Sequence, residues 1–257
     1  MHSLKNKIVF ITGASSGFGA ASAHQFAELG AKLLLCARRI DRLQTLADEL
    51  RKKFSIEIYT IQLDVRKRSD VQRALANLPT EWKNISVLVN NAGLSRGLDT
   101  IQDGNIDDWD EMIDTNVKGL LYITRAVVPG MVERNDGHII NIGSAAGHWM
   151  YPKGNVYSAT KFAVKALTQG MKMDLLGTPI RVSTVDPGLV ETEFSIVRFH
   201  GDKEKARAAY KGMTPLSADD VAETVVWIAT RPPHVNVNEV ILMPTDQSHT
   251  MLVHRKS

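Results

Sequence analysis

Short apolar runs alternate with helix-length stretches along nearly the whole chain, and that alternation leaves few architectures open. Runs with strand character fall at 7–12, 31–37, 57–63, 85–89, 138–142, 180–185 and 239–243. Between them, helical periodicity follows the first run as far as 29, where Gly30 stops it, and continues over 41–54, 69–78, 107–133, 156–176 and 218–229. The 107–133 stretch is expected to bend or end near Pro129. Strands that read as continuous apolar runs separated by helices imply a parallel sheet covered on both faces. Right-handed crossovers then give an α/β fold: one doubly wound Rossmann-fold domain over 1–257, with a seven-stranded parallel sheet and a crevice at the carboxyl ends of its strands.

Several function classes recede on composition. The 257 residues carry a formal net charge of only +3. The strongest basic clusters, Arg51-Lys52-Lys53 and Arg66-Lys67-Arg68, are short and read as solvated faces, not a nucleic-acid surface. No apolar run approaches the roughly 18 residues of a membrane span. The segment 1–7 runs straight into a strand pattern without a signal region, so the expectation is a cytoplasmic chain with no membrane or nucleic-acid partner. Cys36 is the only cysteine, which excludes an intramolecular disulfide, and the scattered histidines lack metal-ligand spacing; no metal is expected.

Thr12-Gly13-Ala14-Ser15-Ser16-Gly17-Phe18-Gly19 follows the first strand and opens into a helix. Glycines there let the backbone approach a pyrophosphate, whose charge meets the free N–H groups of the helix start. The spacing is Gly-x3-Gly-x-Gly, not the commoner Gly-x-Gly-x2-Gly. With Asn90-Asn91-Ala92-Gly93, Asn116, Ser144, Tyr157-x3-Lys161 and Asp186-Pro187-Gly188 in this order, the chain resembles the short-chain dehydrogenase/reductase family over almost its whole length.

The second strand ends in Arg38-Arg39, where an acidic residue would select NAD. Two guanidiniums instead suit a 2′-phosphate, with Ser15 as a further donor, so NADP is the expected cofactor. Asp64-Val65 resembles the family's adenine-contacting pair, Asp64 meeting the base's amino group. Tyr157 and Lys161 are four residues apart and share one helix face. A free tyrosine holds its proton too tightly to act as a base at neutral pH, and a neighbouring ammonium lowers its pKa. Ser144 follows the fifth strand, where its hydroxyl can polarise a substrate oxygen; Ser144 and Tyr157 are the expected substrate contacts. Asn116 resembles the residue that anchors a water linking Lys161 to solvent. Asn91-Ala92-Gly93 lets the cofactor pass close to the backbone. Pro187-Gly188-Leu189-Val190 and Thr192 resemble the segment that bonds the nicotinamide carboxamide.

Longer stretches, among them Asp114 to Leu120, Arg125 to Asn135 and Glu193-Phe194-Ser195 with Val197-Arg198-Phe199, resemble the NADP-dependent 3-hydroxy acid dehydrogenases. That resemblance implies hydride transfer between NADP(H) and serine, L-allo-threonine or related 3-hydroxy acids, in a cytosolic homotetramer. A reductase of another ketone or 3-oxoacyl substrate shares the same catalytic residues. A substrate carboxylate calls for a cation, and Arg198, Lys153 and His148 are the candidates. The stretch Val190-Glu191-Thr192-Glu193 puts an acidic residue beside the cofactor segment, with no assigned effect on carboxylate binding. The charged insert at about 195–213 reads equally as a surface helix or a small substrate lid.

Overall fold

A computed structural model describes residues 3–256; Met1 and His2, part of the N-terminal segment read above, and Ser257 lie outside the described residues. Seven strands, β1 Ile8–Thr12, β2 Lys32–Ala37, β3 Ile58–Gln62, β4 Ile85–Asn90, β5 His138–Ile142, β6 Arg181–Pro187 and β7 Glu239–Leu242, form one sheet in the order β3-β2-β1-β4-β5-β6-β7. Every neighbouring pair is parallel. The order reverses direction between β1 and β4, which opens the crevice of a doubly wound sheet at their carboxyl ends.

The five inner strands are buried on both faces, and their side chains alternate between two cores. Val9, Ile11, Leu33, Leu35, Val87 and Val89 pack under α1 Gly17–Glu28, α2 Ile40–Phe54 and α9 Ala218–Ala229. Phe10, Leu34, Cys36, Leu88, Ile139 and Val182 face the opposite way, under α3 Arg68–Ala76, α5 Leu120–Arg134 and the end of α6 Asn155–Asp174. Burial pushes the Cys36 thiol up to about 12, so it is a core residue and not a nucleophile.

The long helix departs from its sequence reading. Pro129 stands inside α5 without ending it. Pro129 and Arg125 are both exposed, so the carbonyl that loses its partner meets water. The interruption comes earlier, as a π-helical turn over Asp114–Gly119 that joins α4 Ile106–Ile113 to α5.

The charged insert begins sooner than expected and folds as two short helices, α7 Glu193–Arg198 and α8 Lys203–Ala208. Thr192 caps α7 by accepting from the Phe194 N–H, and Asp202 caps α8 by accepting from Glu204 and Lys205. His200 and Gly201, both at positive φ, make the turn between them.

Candidate active site

The glycine loop is pressed against the end of β4. Gly13 has φ +66°, and a Cβ there would sit 2.9 Å from the Ala92 Cα; at Gly19 it would sit 2.6 Å from the Asn91 Nδ2. Asn91 Nδ2 donates to the carbonyls of Thr12 (2.8 Å) and Gly13 (3.2 Å), while Thr12 Oγ1 accepts from the N–H groups of Asn91 and Ala92. Ser16, at the start of α1, makes no side-chain cap, which leaves the first N–H groups of that helix open to an anion.

A cleft of about 280 Å³ runs over this loop. Gly13, Ser15, Ser16, Gly17 and Phe18 form its floor, and Arg38, Arg39, Asp64 and Val65 its far end. Asn91, Ala92 and Gly93 make a side wall, the near end reaches Tyr157 and Lys161, and Thr192 comes close to Gly17. A backbone without side chains beneath it, an open helix N-terminus and two arginines at one end suit a dinucleotide that carries a 2′-phosphate. Gly19 lies beneath the loop. Pro187, Gly188, Leu189 and Val190 do not line the cleft: the Leu189 N–H donates to Gln247 Oε1 and Val190 bridges to Leu216.

The arginine end is densely paired. Arg39 donates from Nε and Nη2 to Ser15 Oγ and from Nη2 to Ser16 Oγ (2.8 Å). Its Nη1 donates to Glu193 Oε2 (3.0 Å), and Arg42 Nη1 reaches both oxygens of the same carboxylate. Arg38, Arg66 and Arg96 converge on Glu111. Asp64, expected to face adenine, accepts a bidentate bond from Arg66. Burial raises its pKa, but the Arg66 bonds outweigh that and hold the carboxyl below its usual range.

At the other end, Tyr157 and Lys161 are both buried on α6. Lys161 Nζ donates to the Ile142 carbonyl (2.8 Å) and lies 5.9 Å from the Tyr157 ring centre. The expected lowering of the Tyr157 pKa is reversed: burial dominates and pushes it up to about 12, while Ser144 and Arg198 pull the other way. Burial likewise brings Lys161 down to about 8. Ser144 Oγ accepts from the Ala146 N–H (3.1 Å) and faces the Pro187 carbonyl. Asn116 sits in the π-helical turn, its side chain spanning Leu94 N and O and Thr160 Oγ1. It ties the loop after β4 to α6 through Thr160, which donates to the Tyr157 carbonyl, and its Oδ1 and the Lys161 Nζ flank Gly93.

The three candidate cations separate clearly. Arg198 reaches over the Tyr157 ring at 5.3 Å, with Nε on Ser95 Oγ (3.0 Å) and Nη2 on the Tyr151 hydroxyl. Lys153 is exposed at positive φ on the rim of a smaller recess beside it. His148 is committed elsewhere. Lys165 Nζ, a donor only, meets its Nδ1 at 2.8 Å, so Nε2 carries the proton donated to Asp186 (2.9 Å). His148, Asp186 and Glu239 are the residues with metal-ligand chemistry that cluster among those described, and the Lys165 ammonium already stands beside them.

Sequence reasoning passed over Arg42, Arg96 and Glu111, left the acid of Glu191-Thr192-Glu193 without a role, and read Arg66 as part of a solvated face, whereas it is half-buried against Asp64 and Glu111. Arg42 carries a usable signal, one helical turn beyond Arg39, as does Arg66, two residues beyond Asp64; Arg96 and Glu111 are joined to the site only by the fold.

A doubly wound parallel sheet, a Gly-x3-Gly-x-Gly loop and a buried Tyr-x3-Lys pair at the end of one cleft define a class of dinucleotide-dependent oxidoreductase. The short chain dehydrogenase family model matches residues 7–202, and the chain belongs to that family. It is 52% identical over 250 residues to the NADP-dependent 3-hydroxy acid dehydrogenase of Salmonella typhi, covering 96% of this chain and 99% of that protein. It is 47% identical over 242 residues to sulfoacetaldehyde reductase 2 of Chromohalobacter salexigens, covering 94% and 95%. Among solved structures, the closed form of serine dehydrogenase complexed with NADP+ is 50% identical and superposes with a TM-score of 0.91, covering 97% of this chain and all of that one.

Proposed function

We propose that the protein is an NADP(H)-dependent dehydrogenase of small 3-hydroxy acids, of the serine, L-allo-threonine and 3-hydroxypropionate type. The observation that carries this reading is Arg198, an always-charged fork beside the Tyr157 ring and next to the cofactor cleft. It supplies the carboxylate contact that a plain alcohol dehydrogenase does not need. The full-length likeness to a 3-hydroxy acid dehydrogenase supports the same substrate class.

NADP+ supplies the hydride acceptor when bound along the cleft. Tyr157 takes the proton of the C3 hydroxyl as the carbonyl forms, and returns one in the reverse direction. Ser144 donates to that oxygen and steadies its developing charge. Lys161, held by the Ile142 carbonyl, places a positive charge near the phenolate. Asn116, fixed by its bonds to Leu94 and Thr160, anchors a water that links Lys161 to solvent. Gly13, Ser15, Ser16, Gly17, Phe18, Gly19, Arg38, Arg39, Asp64, Val65, Asn91, Ala92, Gly93 and Thr192 hold the cofactor. Residues 1–257 act as one NADP-binding domain, with α7 and α8 as the substrate lid.

We further propose a cytoplasmic homotetramer. Among the described residues no helix is long and apolar enough to cross a membrane. Leu121 and Val132 on α5, and Phe162 and Met173 on α6, present apolar side chains at the surface of a single chain, where helix-on-helix contacts between copies would cover them.

The test is NADP+ reduction with L-serine, L-allo-threonine and 3-hydroxypropionate, beside isethionate and a neutral secondary alcohol. Turnover of the carboxylates, lost in Tyr157→Phe, supports the proposal. Preference for isethionate would redirect the anion site to sulfonates, in keeping with the sulfoacetaldehyde reductases. Turnover of the neutral alcohol alone would remove it.

A further inference from the structure

Glu193 is an acid paired with Arg39, one of the two arginines assigned to the cofactor's 2′-phosphate, where simple charge reasoning places a liability. Its geometry gives it another role. Arg39 uses Nη1 for Glu193 and keeps its Nε–Nη2 edge on the hydroxyls of Ser15 and Ser16. Those hydroxyls are rotors that can donate as readily as accept, so an anion can take the Nε–Nη2 edge without displacing the carboxylate. Arg42 holds both Glu193 oxygens at 2.7 and 3.0 Å, which keeps the carboxyl below its usual pKa range and charged. Glu193 is also the first residue of α7, whose Phe194 packs edge-on to Tyr157 and whose Arg198 lies over the same ring.

The other arginine leads to the same helix by a second route. Arg38 pairs with Glu111, Glu111 pairs with Arg96, and Arg96 Nη1 donates to the Val197 carbonyl of α7 (2.6 Å). The two adjoining clusters hold five guanidiniums (Arg38, Arg39, Arg42, Arg66, Arg96) against three carboxylates (Asp64, Glu111, Glu193). That leaves an excess of two positive charges, the complement of a phosphate monoester dianion.

We propose that Glu193 is a specificity-positioning residue: from the lid it holds Arg39 with its Nε–Nη2 edge, shared with the Ser15 and Ser16 hydroxyls, toward the 2′-phosphate, so that phosphate recognition and lid closure over Tyr157 are one coupled event. The inference rests on the NADP reading above. Coupling is reciprocal, so a lid that favours phosphate is a lid that phosphate holds shut.

The experiment compares wild type, Glu193→Gln and Glu193→Asp by calorimetric titration with NADP+, NAD+ and adenosine 2′,5′-bisphosphate, which carries the phosphate but no nicotinamide. Trypsin cleavage at Lys203, Lys205 and Arg207 on α8 is followed with and without the bisphosphate. These ion pairs are exposed, so the expected effect is modest. Glu193→Gln weakens NADP+ and the bisphosphate by roughly five- to tenfold and leaves NAD+ unchanged, with partial recovery in Glu193→Asp. The bisphosphate slows cleavage of α8 in wild type and not in Glu193→Gln. Binding of NADP+ that stays equal or tightens in Glu193→Gln, as charge repulsion alone demands, would overturn the proposal, as would equal protection in both proteins. A wild type that prefers NAD+ removes the cofactor reading itself and this inference with it, a result visible before any variant is made.

Discussion

The Arg198 guanidinium lies 5.3 Å from the Tyr157 ring centre and is anchored through Nε to Ser95 Oγ, 103 residues away in sequence. It is therefore held in place before substrate arrives, and a carboxylate gains a charge-assisted partner without ordering a mobile side chain. Replacing it with methionine keeps the length and the apolar stem but removes the charge. The expected result is a fall of about 100-fold in kcat/KM for 3-hydroxy acids, carried mainly by KM, with little change for a neutral alcohol. An equal loss on both substrates would mean that Arg198 serves the fold, not the carboxylate.

Tyr157→Phe removes the hydroxyl and leaves the ring that Phe194 and Arg198 contact. Turnover should drop by about 10²–10⁴-fold while NADP+ still binds. Retention of more than a tenth of the activity would reassign the acid and base.

The two displaced pKa values predict a pH profile. With Tyr157 pushed up to about 12 and Lys161 brought down to about 8, the active form carries a phenolate and an ammonium together. Below pH 8 the ammonium is complete and the phenolate grows about tenfold per unit. Above 8 the loss of one offsets the gain of the other. Oxidation, measured as kcat/KM from pH 6 to 9.5, should climb and then level near 8; a flat profile between 6 and 8 contradicts this pairing.

His138 predicts how stability responds to acid. It is buried on β5 with Nε2 on Ser183 Oγ (2.8 Å), and burial holds its pKa well below the usual value. The folded state keeps it neutral while the unfolded chain takes up a proton below about 6.5. Its contribution is thus complete above that value and is lost as pH falls toward the folded pKa, with a slope of about 1.4 kcal/mol per pH unit. The melting temperature should fall between pH 7.5 and 5.5 in wild type and fall less in His138→Gln. Parallel declines would place the acid sensitivity elsewhere.

Exchanging Arg38 for Asp and Arg39 for Ala together should shift cofactor preference from NADP+ toward NAD+. Titration of both cofactors checks this, and unchanged selectivity would take the pair out of phosphate recognition.

The elements and the Tyr157–Lys161 pair were legible because they depend on local pattern: short continuous apolar runs in the strands, a period near four on α6, and glycines at a strand-to-helix turn. Arg39 was legible because it ends a strand where family chemistry needs a charge. Its carboxylate partner lies 154 residues away, and nothing local to Glu193 announces that pairing. Glu111 and Arg96 are joined only because the loop after β4 folds back on α4. The Tyr157 pKa went the wrong way for a related reason. Sequence shows which charges are near, but the extent of burial, which decides the shift here, is a property of the packed whole. Pro129 drew attention as the visible helix breaker, while the real irregularity lies in Asp114–Gly119, whose residues carry no such mark.

That π-helical turn sets the phase between two helices with different duties. Beyond it α5 seals the sheet beside β4, whereas before it α4 aims Glu111 at Arg38, Arg66 and Arg96 and packs Met112 beneath Ser95 and Arg96. A helix repeats every 3.6 residues, so removing one residue from the turn would swing α4 by about 100° relative to α5. Glu111 would then leave all three arginines at once, and Met112 would leave its buried place beside Leu94, Ala146 and Tyr157. The extra residue works as a gauge block: one position in this turn sets where α4 presents Glu111 to the arginines and Met112 to the packing around Tyr157.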